Sequence, residues 1–275
     1  MATRTITNWR DRLVTIMIAP LMTCSARLPV YALLIAAFIP SRTIGGIFNL
    51  QGLVLFALYL GGIVSAMAVA WVFKRFRGGR SVSPLMMELP AYRWPNPRQL
   101  ALGLWERARI FLKRVGTMIL ALTILLWFFS TFPSPPTGAS GPAIQYSLAG
   151  MIGRALEVIF APIGFNWQIS IALVPGLAAR EVAVSSLGTV YAMSATGDQA
   201  AAALEPVIAA GWSTATAISL LVWYVFAPMC LSTLATVKRE TNSWRYALIM
   251  AGYLFALAYG ACFIAYRVAL ALGAG

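Results

Sequence analysis

Pro20-Leu-Met-Thr-Cys24-Ser25-Ala-Arg27-Leu-Pro29-Val-Tyr31 sets a thiol, a hydroxyl, a guanidinium and two prolines inside a strongly apolar region. Proline carries no N–H and clashes with the preceding turn, so a helix entering this stretch is interrupted. A cysteine at such an interruption within a membrane segment points to a broken helix with a soft metal ligand at the break. The theme returns near the other end of the chain, at Phe226-Ala-Pro228-Met229-Cys230-Leu-Ser232-Thr233.

Composition bounds the class. The chain has 275 residues, 60% of them hydrophobic and 11% charged. Soluble domains are about 45–50% apolar and about 25% charged. The expected fold class is therefore all-α: a polytopic transmembrane helix bundle with broken or re-entrant helices. Net charge is +13, from 21 Lys+Arg against 8 Asp+Glu. The basic residues cluster between apolar spans, which fits loops held on the cytoplasmic side of a lipid bilayer and does not suggest nucleic acid. There is no histidine, and the cysteines, Cys24, Cys230 and Cys262, are dispersed in apolar context. That distribution argues against a disulfide framework. The N-terminus shows no cleavable signal pattern.

A membrane crossing needs about 20 apolar residues. Residues 53–73, 115–132, 213–237 and 244–266 read as spans, the third interrupted by Pro228. Two further apolar regions are broken: 13–40 by Pro20, Arg27 and Pro29, and 169–193 by Pro175, Gly176, Arg180 and Glu181. Residues 74–114 are rich in Lys and Arg, with only Glu88 and Glu106 opposing them, and are placed in the cytoplasm. Residues 133–143 carry no charge and read as an external turn, as does the loop holding Asp198 and Glu205. The N-terminus then falls inside and the C-terminus outside, with a re-entrant hairpin or a double crossing between about 144 and 193. Residues 97–114 mix Leu100, Leu104, Ile110 and Phe111 with Arg98, Arg107 and Lys113, which suits an amphipathic helix at the interface before it turns into the bilayer. The 86–95 segment before it reads as a proline-stiffened docking strap. Gly61, Gly62, Ser65 and Ala66 suit close helix packing.

Several motifs, in order along the chain, resemble the membrane region of the ferrous iron transport protein B family. They are Arg10-Asp11-Arg12-Leu13, the Pro20–Tyr31 stretch, Glu88-Leu-Pro90-Ala-Tyr92-Arg93, Val174-Pro175-Gly176-Leu-Ala-Ala-Arg180-Glu181, Phe226-Ala-Pro228-Met229-Cys230, and Arg239-Glu240-Thr-Asn242-Ser-Trp244. The resemblance covers about residues 1–266. It implies transport of Fe2+ as substrate across the cell inner membrane, with no permanently bound cofactor. It also divides the chain into 1–52, an N-terminal segment with a broken helix; 53–73, a transmembrane helix; 74–114, a cytoplasmic loop and interfacial helix; and 115–268, a gate-like transmembrane domain.

The family carries a GTP-binding domain and an earlier membrane half. No Gly-x-x-x-x-Gly-Lys-Ser/Thr motif occurs in this sequence, so nothing here cradles a phosphate, and no enzyme activity is assigned to this chain. The GTPase and first membrane half are expected on a separately encoded partner or lost, and a homo-oligomer is a further way to complete a path. Two other readings stand beside the first: a nucleoside-type solute permease, and a truncated, non-transporting subunit that needs a partner.

The expected ion ligands are Cys24, Cys230 and Glu181. Ser25, Arg27, Pro175, Gly176, Arg180, Pro228, Met229 and Ser232 are expected to form the path or gate around them. Ferrous iron accepts thiolate and oxygen donors. A charge inside a membrane marks a functional candidate, and half-helices broken near the midplane build many transporter sites. For each residue there is a plainer reading. Cysteine is among the most buried residue types and fills gaps; Pro228 can simply kink a packing helix; Arg180 and Glu181 can close a turn. Adjacent helical residues do not face each other, so those two are expected to find other partners. Arg27, three residues beyond Cys24 on roughly the same helix face, would repel a cation and is expected to hold backbone or a Glu. Cys262 is expected to pack, Asn242 to cap a loop and Trp244 to anchor at the interface.

Overall fold

The computed structural model describes residues 8–24, 27–44, 48–76, 96–133, 146–178, 182–190, 206–228 and 231–273, with the isolated positions 3, 6 and 94. The chain folds as a helical bundle. Its helices are α1 (Trp9–Ile18), α2 (Leu28–Phe38), α3 (Leu50–Phe76), α4 (Pro97–Thr131), α5 (Leu148–Phe160), α6 (Trp167–Ala178), α7 (Val182–Val190), α8 (Thr214–Phe226), α9 (Leu231–Thr241) and α10 (Trp244–Ala271). Single 3-10 turns follow α1 (Ala19–Leu21) and α5 (Ala161–Ile163). Between α2 and α3 a small antiparallel ribbon pairs Thr43 with Asn49 and Ile44 with Phe48.

Short polar residues set the helix starts. Asn8, Asn96, Ser147, Ser213 and Ser243 each accept a backbone N–H from the first turn of α1, α4, α5, α8 and α10. Such a cap satisfies one of the donors a helix start leaves open. Pro97 adds a preset φ at the first turn of α4.

Among the described residues two helices have the length and apolarity of a membrane crossing, Leu50–Arg75 and Trp244–Ala271. They extend the spans expected at 53–73 and 244–266. The α5–α6 pair, bent by 100° between Ile163 and Trp167, occupies the region where a re-entrant hairpin or double crossing was expected. Residues 213–237 are interrupted at Pro228, as expected, into α8 and α9. The helix stops at Phe226 because Pro228 drives the residue before it out of the helical region: Ala227 is extended, at φ −63° and ψ 145°. The expected turn into the bilayer near residue 115 is absent. α4 runs unbroken through 35 residues, about 52 Å at 1.5 Å per residue, so its amphipathic and apolar parts belong to one helix. No Pro falls between Gln99 and Phe132 to break it, and the boundary drawn at 114/115 lies inside a helix. The docking strap at 86–95, apart from an exposed Trp94, and nearly all of the 133–143 turn lie outside the described residues.

The core has two main parts. One gathers α2, the ends of α5 and α6, α7, α8 and the middle of α10 around Tyr31, Phe160, Phe165, Ile169, Trp223 and Cys262. Trp223 stands edge-on to Phe160, Phe165 and Phe255, with ring centroids 5.4–5.7 Å away, the arrangement aromatic quadrupoles favour. The other joins α1, the middle of α3, α9 and the first half of α10 through Leu13, Met17, Leu21, Ala66, Val237 and Met250. In α3, Gly62 allows this approach: a Cβ there would lie 3.1 Å from Thr23 Cγ2. Gly61 meets nothing within 4 Å, so the close-packing role expected for both glycines belongs to Gly62, with Ala66 one turn on.

Candidate functional site

The first helix break is where the proline spacing placed it. α1 ends at Ile18, Pro20 opens a 3-10 turn, and Met22 is extended at ψ 139°. The chain becomes helical again at Leu28, with Pro29 in the first turn of α2. Cys24 lies in the non-helical segment and is exposed. Arg27 is fully buried. Its Nη2 donates to the Pro20 carbonyl at 3.0 Å and its Nη1 to the Leu21 carbonyl at 3.5 Å. A buried guanidinium needs acceptors, and the break supplies them from the backbone.

One expectation holds here, that Arg27 binds backbone, and one changes. Cys24 and Arg27 do not share a helix face, because residues 22–24 are not helical and the two side chains part, one outward and one inward. The carbonyls of Pro20 and Leu21 are also bonded by Arg27, while the carbonyl of Cys24 accepts the Arg27 N–H at 3.2 Å. Cys24 and Met22 are the exposed sulfur-bearing residues of this segment.

The second break expected from the sequence, at Pro175-Gly176, is not there. Both residues are buried inside α6, which continues to Ala178, and α7 starts at Val182. An internal proline removes one hydrogen bond, and the flanking Ile171 and Leu173, both buried, hold the helix through it. Arg180 and Glu181 lie between the two helices, outside the described residues, as do Ser25, Met229 and Cys230. The third break follows Phe226, with Ala227 buried and Pro228 half-buried. Ser232 belongs to the first turn of α9. Residues flanking the breaks after Ile18 and Phe226, and those on either side of residues 179–181, share one apolar cluster: Val30 and Tyr31; Leu173, Ala183 and Val184; Tyr224, Val225 and Ala227. Among the described residues no group of three or more Cys, Asp and Glu side chains comes together.

A fourth irregular segment, 161–166, was not singled out in the sequence. It is the apex of the α5–α6 bend, and neighbouring helices take up its backbone. Ser219 Oγ donates to the Ile163 carbonyl at 2.7 Å, Thr216 Oγ1 to the Gly164 carbonyl at 3.0 Å, and Tyr259 OH to the Ile159 carbonyl at 2.9 Å. Gly164 has φ +84°, and a Cβ on it would lie 2.2 Å from the Tyr266 ring. Asn166 then starts α6 by accepting the Ile169 N–H at 2.9 Å. Irregular backbone at membrane depth is tolerated where protein satisfies it. The available signal was Pro162 followed by Gly164 and Asn166, a turn composition. Below the apex, α5 and α6 are in backbone contact, since a Cβ on Gly153 would lie 2.9 Å from the Trp167 carbonyl and 2.5 Å from Ile171 Cγ1. Cys262 is buried in α10 and its thiol donates to the Ser219 carbonyl at 3.1 Å, a packing role.

Helices long and apolar enough to cross a membrane, combined with helices interrupted within apolar stretches, define a polytopic α-helical membrane protein with broken and bent helices. The comparisons with known proteins carry this further. The family described as "Ferrous iron transport protein B C terminus" matches residues 55–107, and the one described as "Nucleoside recognition" matches residues 112–244. A protein of Leptospira interrogans named Fe(2+) transporter FeoB is 41% identical over 98% of this chain and 40% of its own length. Its namesake in Leptospira biflexa is 35% identical over 99% of this chain and 41% of its own length. A fusion protein of Porphyromonas gingivalis, named Fe(2+) transport protein A/Fe(2+) transporter FeoB, is 34% identical over 98% of this chain and 36% of its own length. No solved structure matches the chain. The chain belongs to the ferrous iron transport protein B family, and it spans about 40% of the length of the curated relatives it matches.

Proposed function

We propose that this chain is the membrane-permease part of a ferrous iron transporter, carrying Fe2+ across the bacterial inner membrane. The observation that carries the proposal is the match of nearly the whole chain to proteins named Fe(2+) transporter. The break at residues 22–24 supports it physically. The Arg27 guanidinium is drawn inward onto backbone carbonyls, while the Cys24 thiol faces out. In this reading Cys24, Cys230 and Glu181 take over part of the ion's hydration shell. Ser25, Met229 and Ser232 supply further soft or oxygen donors. Pro228 keeps its gate helix broken, Pro175 and Gly176 contribute to the gate from within the continuous α6, and Arg27 and Arg180 hold it in place. The energy source and the other wall of the path come from the portion of the transporter that the longer relatives carry beyond the matched region, or from a second copy of this chain.

The experiment is uptake of radiolabelled ferrous iron in a bacterial strain lacking its own ferrous transporter, with the N-terminal portion of a relative co-expressed. Saturable uptake that falls roughly ten-fold in Cys24→Ser supports the reading. No uptake with the partner portion supplied removes the transport claim; equal uptake by wild type and a Cys24→Ser/Cys230→Ser variant removes the ligand assignment. The match of residues 112–244 to a family described as nucleoside recognition favours a second reading, a nucleoside-type permease. Labelled nucleoside uptake in the same cells separates the two.

A further inference from the structure

One end of the bundle collects the terminal turns of four helices. The start of α1, the end of α3, the end of α9 and the start of α10 lie together because Leu13, Ala66, Val237 and Met250 share a core. The edge-to-face contact of Phe73 with Tyr253, at 5.6 Å, fixes α3 against α10. These turns carry Arg10, Lys74, Arg75, Lys238, Arg239 and Arg245, all exposed. The carboxylates on the same turns do not offset them: Glu240 is buried and bonded to Arg12 at 2.9 Å, leaving the half-buried Asp11.

Two tryptophans stand among the cations. Trp9 is 45% exposed and Trp244 60%. Lys238 Nζ sits 4.0 Å above the Trp244 ring, and the Arg12 guanidinium 5.7 Å from that of Trp9. Just beyond this level the surface turns apolar, with Trp71, Leu248 and Ile249 exposed. Cations, then indole rings, then aliphatic side chains is the layering of phospholipid headgroups over acyl chains. A nucleic-acid surface would not border directly on exposed aliphatic residues.

We propose that this end is a docking surface for the headgroups of anionic phospholipids, with Lys238, Arg239 and Arg245 beside Trp244 as its principal contacts. The inference rests on the membrane placement of the bundle and is independent of the cargo.

The full chain is reconstituted in phosphatidylcholine vesicles containing a small fraction of either brominated phosphatidylglycerol or brominated phosphatidylcholine. Quenching of tryptophan fluorescence is measured, and the part lost in Trp244→Phe isolates that residue. The anionic lipid is expected to quench Trp244 with a preference of roughly five-fold, the order set by one Lys or Arg near an anionic surface. The preference shrinks at high salt and reaches parity in Lys238→Gln/Arg239→Gln/Arg245→Gln. Lys238→Arg/Arg245→Lys keeps it, which separates charge from altered folding, and so does Arg267→Gln near the far end of α10. Equal quenching by the two lipids, or a preference that survives the triple variant, overturns the proposal. So does loss of the preference on adding millimolar inorganic phosphate, which identifies a free-anion site instead.

Discussion

Arg12 Nη2 stands 2.9 Å from Glu240 Oε2, an ion pair between residues 228 positions apart in the chain. The carboxylate side chain is 3% exposed and the guanidinium 22%. The pair ties α1 to the end of α9, and a hydrogen bond from Tyr253 OH to the Met17 carbonyl ties α1 to α10 as well. Removing one member of a buried pair leaves the other charge uncompensated, whereas replacing both with apolar groups is often tolerated. Arg12→Ala is expected to cost about 3 kcal/mol of folding free energy, read as denaturant unfolding of the purified protein in detergent. Arg12→Met/Glu240→Leu is expected to cost less than Arg12→Ala alone. Equal losses would show that the pair is not coupled.

Gly164 decides whether the α5–α6 bend can form. Its positive φ is strained for any residue with a side chain, about 1–3 kcal/mol, and a Cβ there meets the Tyr266 ring. Gly164→Ala is expected to lower the yield of folded protein and its thermal midpoint. Adding Tyr266→Ala restores only the steric part, so the double variant stays below Tyr266→Ala. If Gly164→Ala behaves like wild type, the bend does not need this conformation.

Ser219 is fully buried and spends its hydroxyl on the Ile163 carbonyl at the apex of the bend. Hydrogen bonds between membrane helices are worth about 0.6 kcal/mol on average and about 1.7 at most. Ser219→Ala is expected to fall in that range, and Ser219→Ala/Thr216→Val, which also removes the bond to Gly164, to approach twice the single loss. Hydrogen exchange localised to residues 159–166 is the readout; an unchanged exchange pattern would count against the account of how the apex is held.

Cys24 and Cys262 sit at opposite extremes of accessibility. In a Cys230→Ser background in detergent, a maleimide reagent is expected to label Cys24 quickly and Cys262 only on unfolding. Cys262→Ala is expected to lower stability by about 1 kcal/mol, the worth of one buried contact and a weak hydrogen bond, and to leave iron uptake per folded protein unchanged. Rapid labelling of Cys262, or lost uptake in Cys262→Ala at normal folded protein, contradicts the packing role.

Local chemistry made part of this architecture legible. The breaks at Pro20–Pro29 and Pro228 arise from proline's missing N–H and its restriction of the preceding residue, and both act within one turn. The same rule misplaced the break near Pro175, because a proline inside a helix loses a single bond that buried neighbours can offset. The 161–166 apex was legible only as a turn composition. What holds it comes from the hydroxyls of Thr216, Ser219 and Tyr259, more than 50 positions away in the chain. Arg27 was legible as a charge in apolar context that would hold backbone, as it does, whereas the pairing of Arg12 with Glu240 was not.

The amino-acid sequence by itself determined the class, an all-α membrane bundle, since hydropathy, charge clustering and proline act over short stretches. It also determined the family, through separated motifs in order. Only the tertiary structure decided that Cys24 faces outward while Arg27 turns in to the carbonyls of Pro20 and Leu21, and that α4 is one continuous helix. Only the fold, likewise, closes the α5–α6 bend under α8 and α10. These outcomes depend on which distant groups are within hydrogen-bonding reach, and that is fixed when the helices pack.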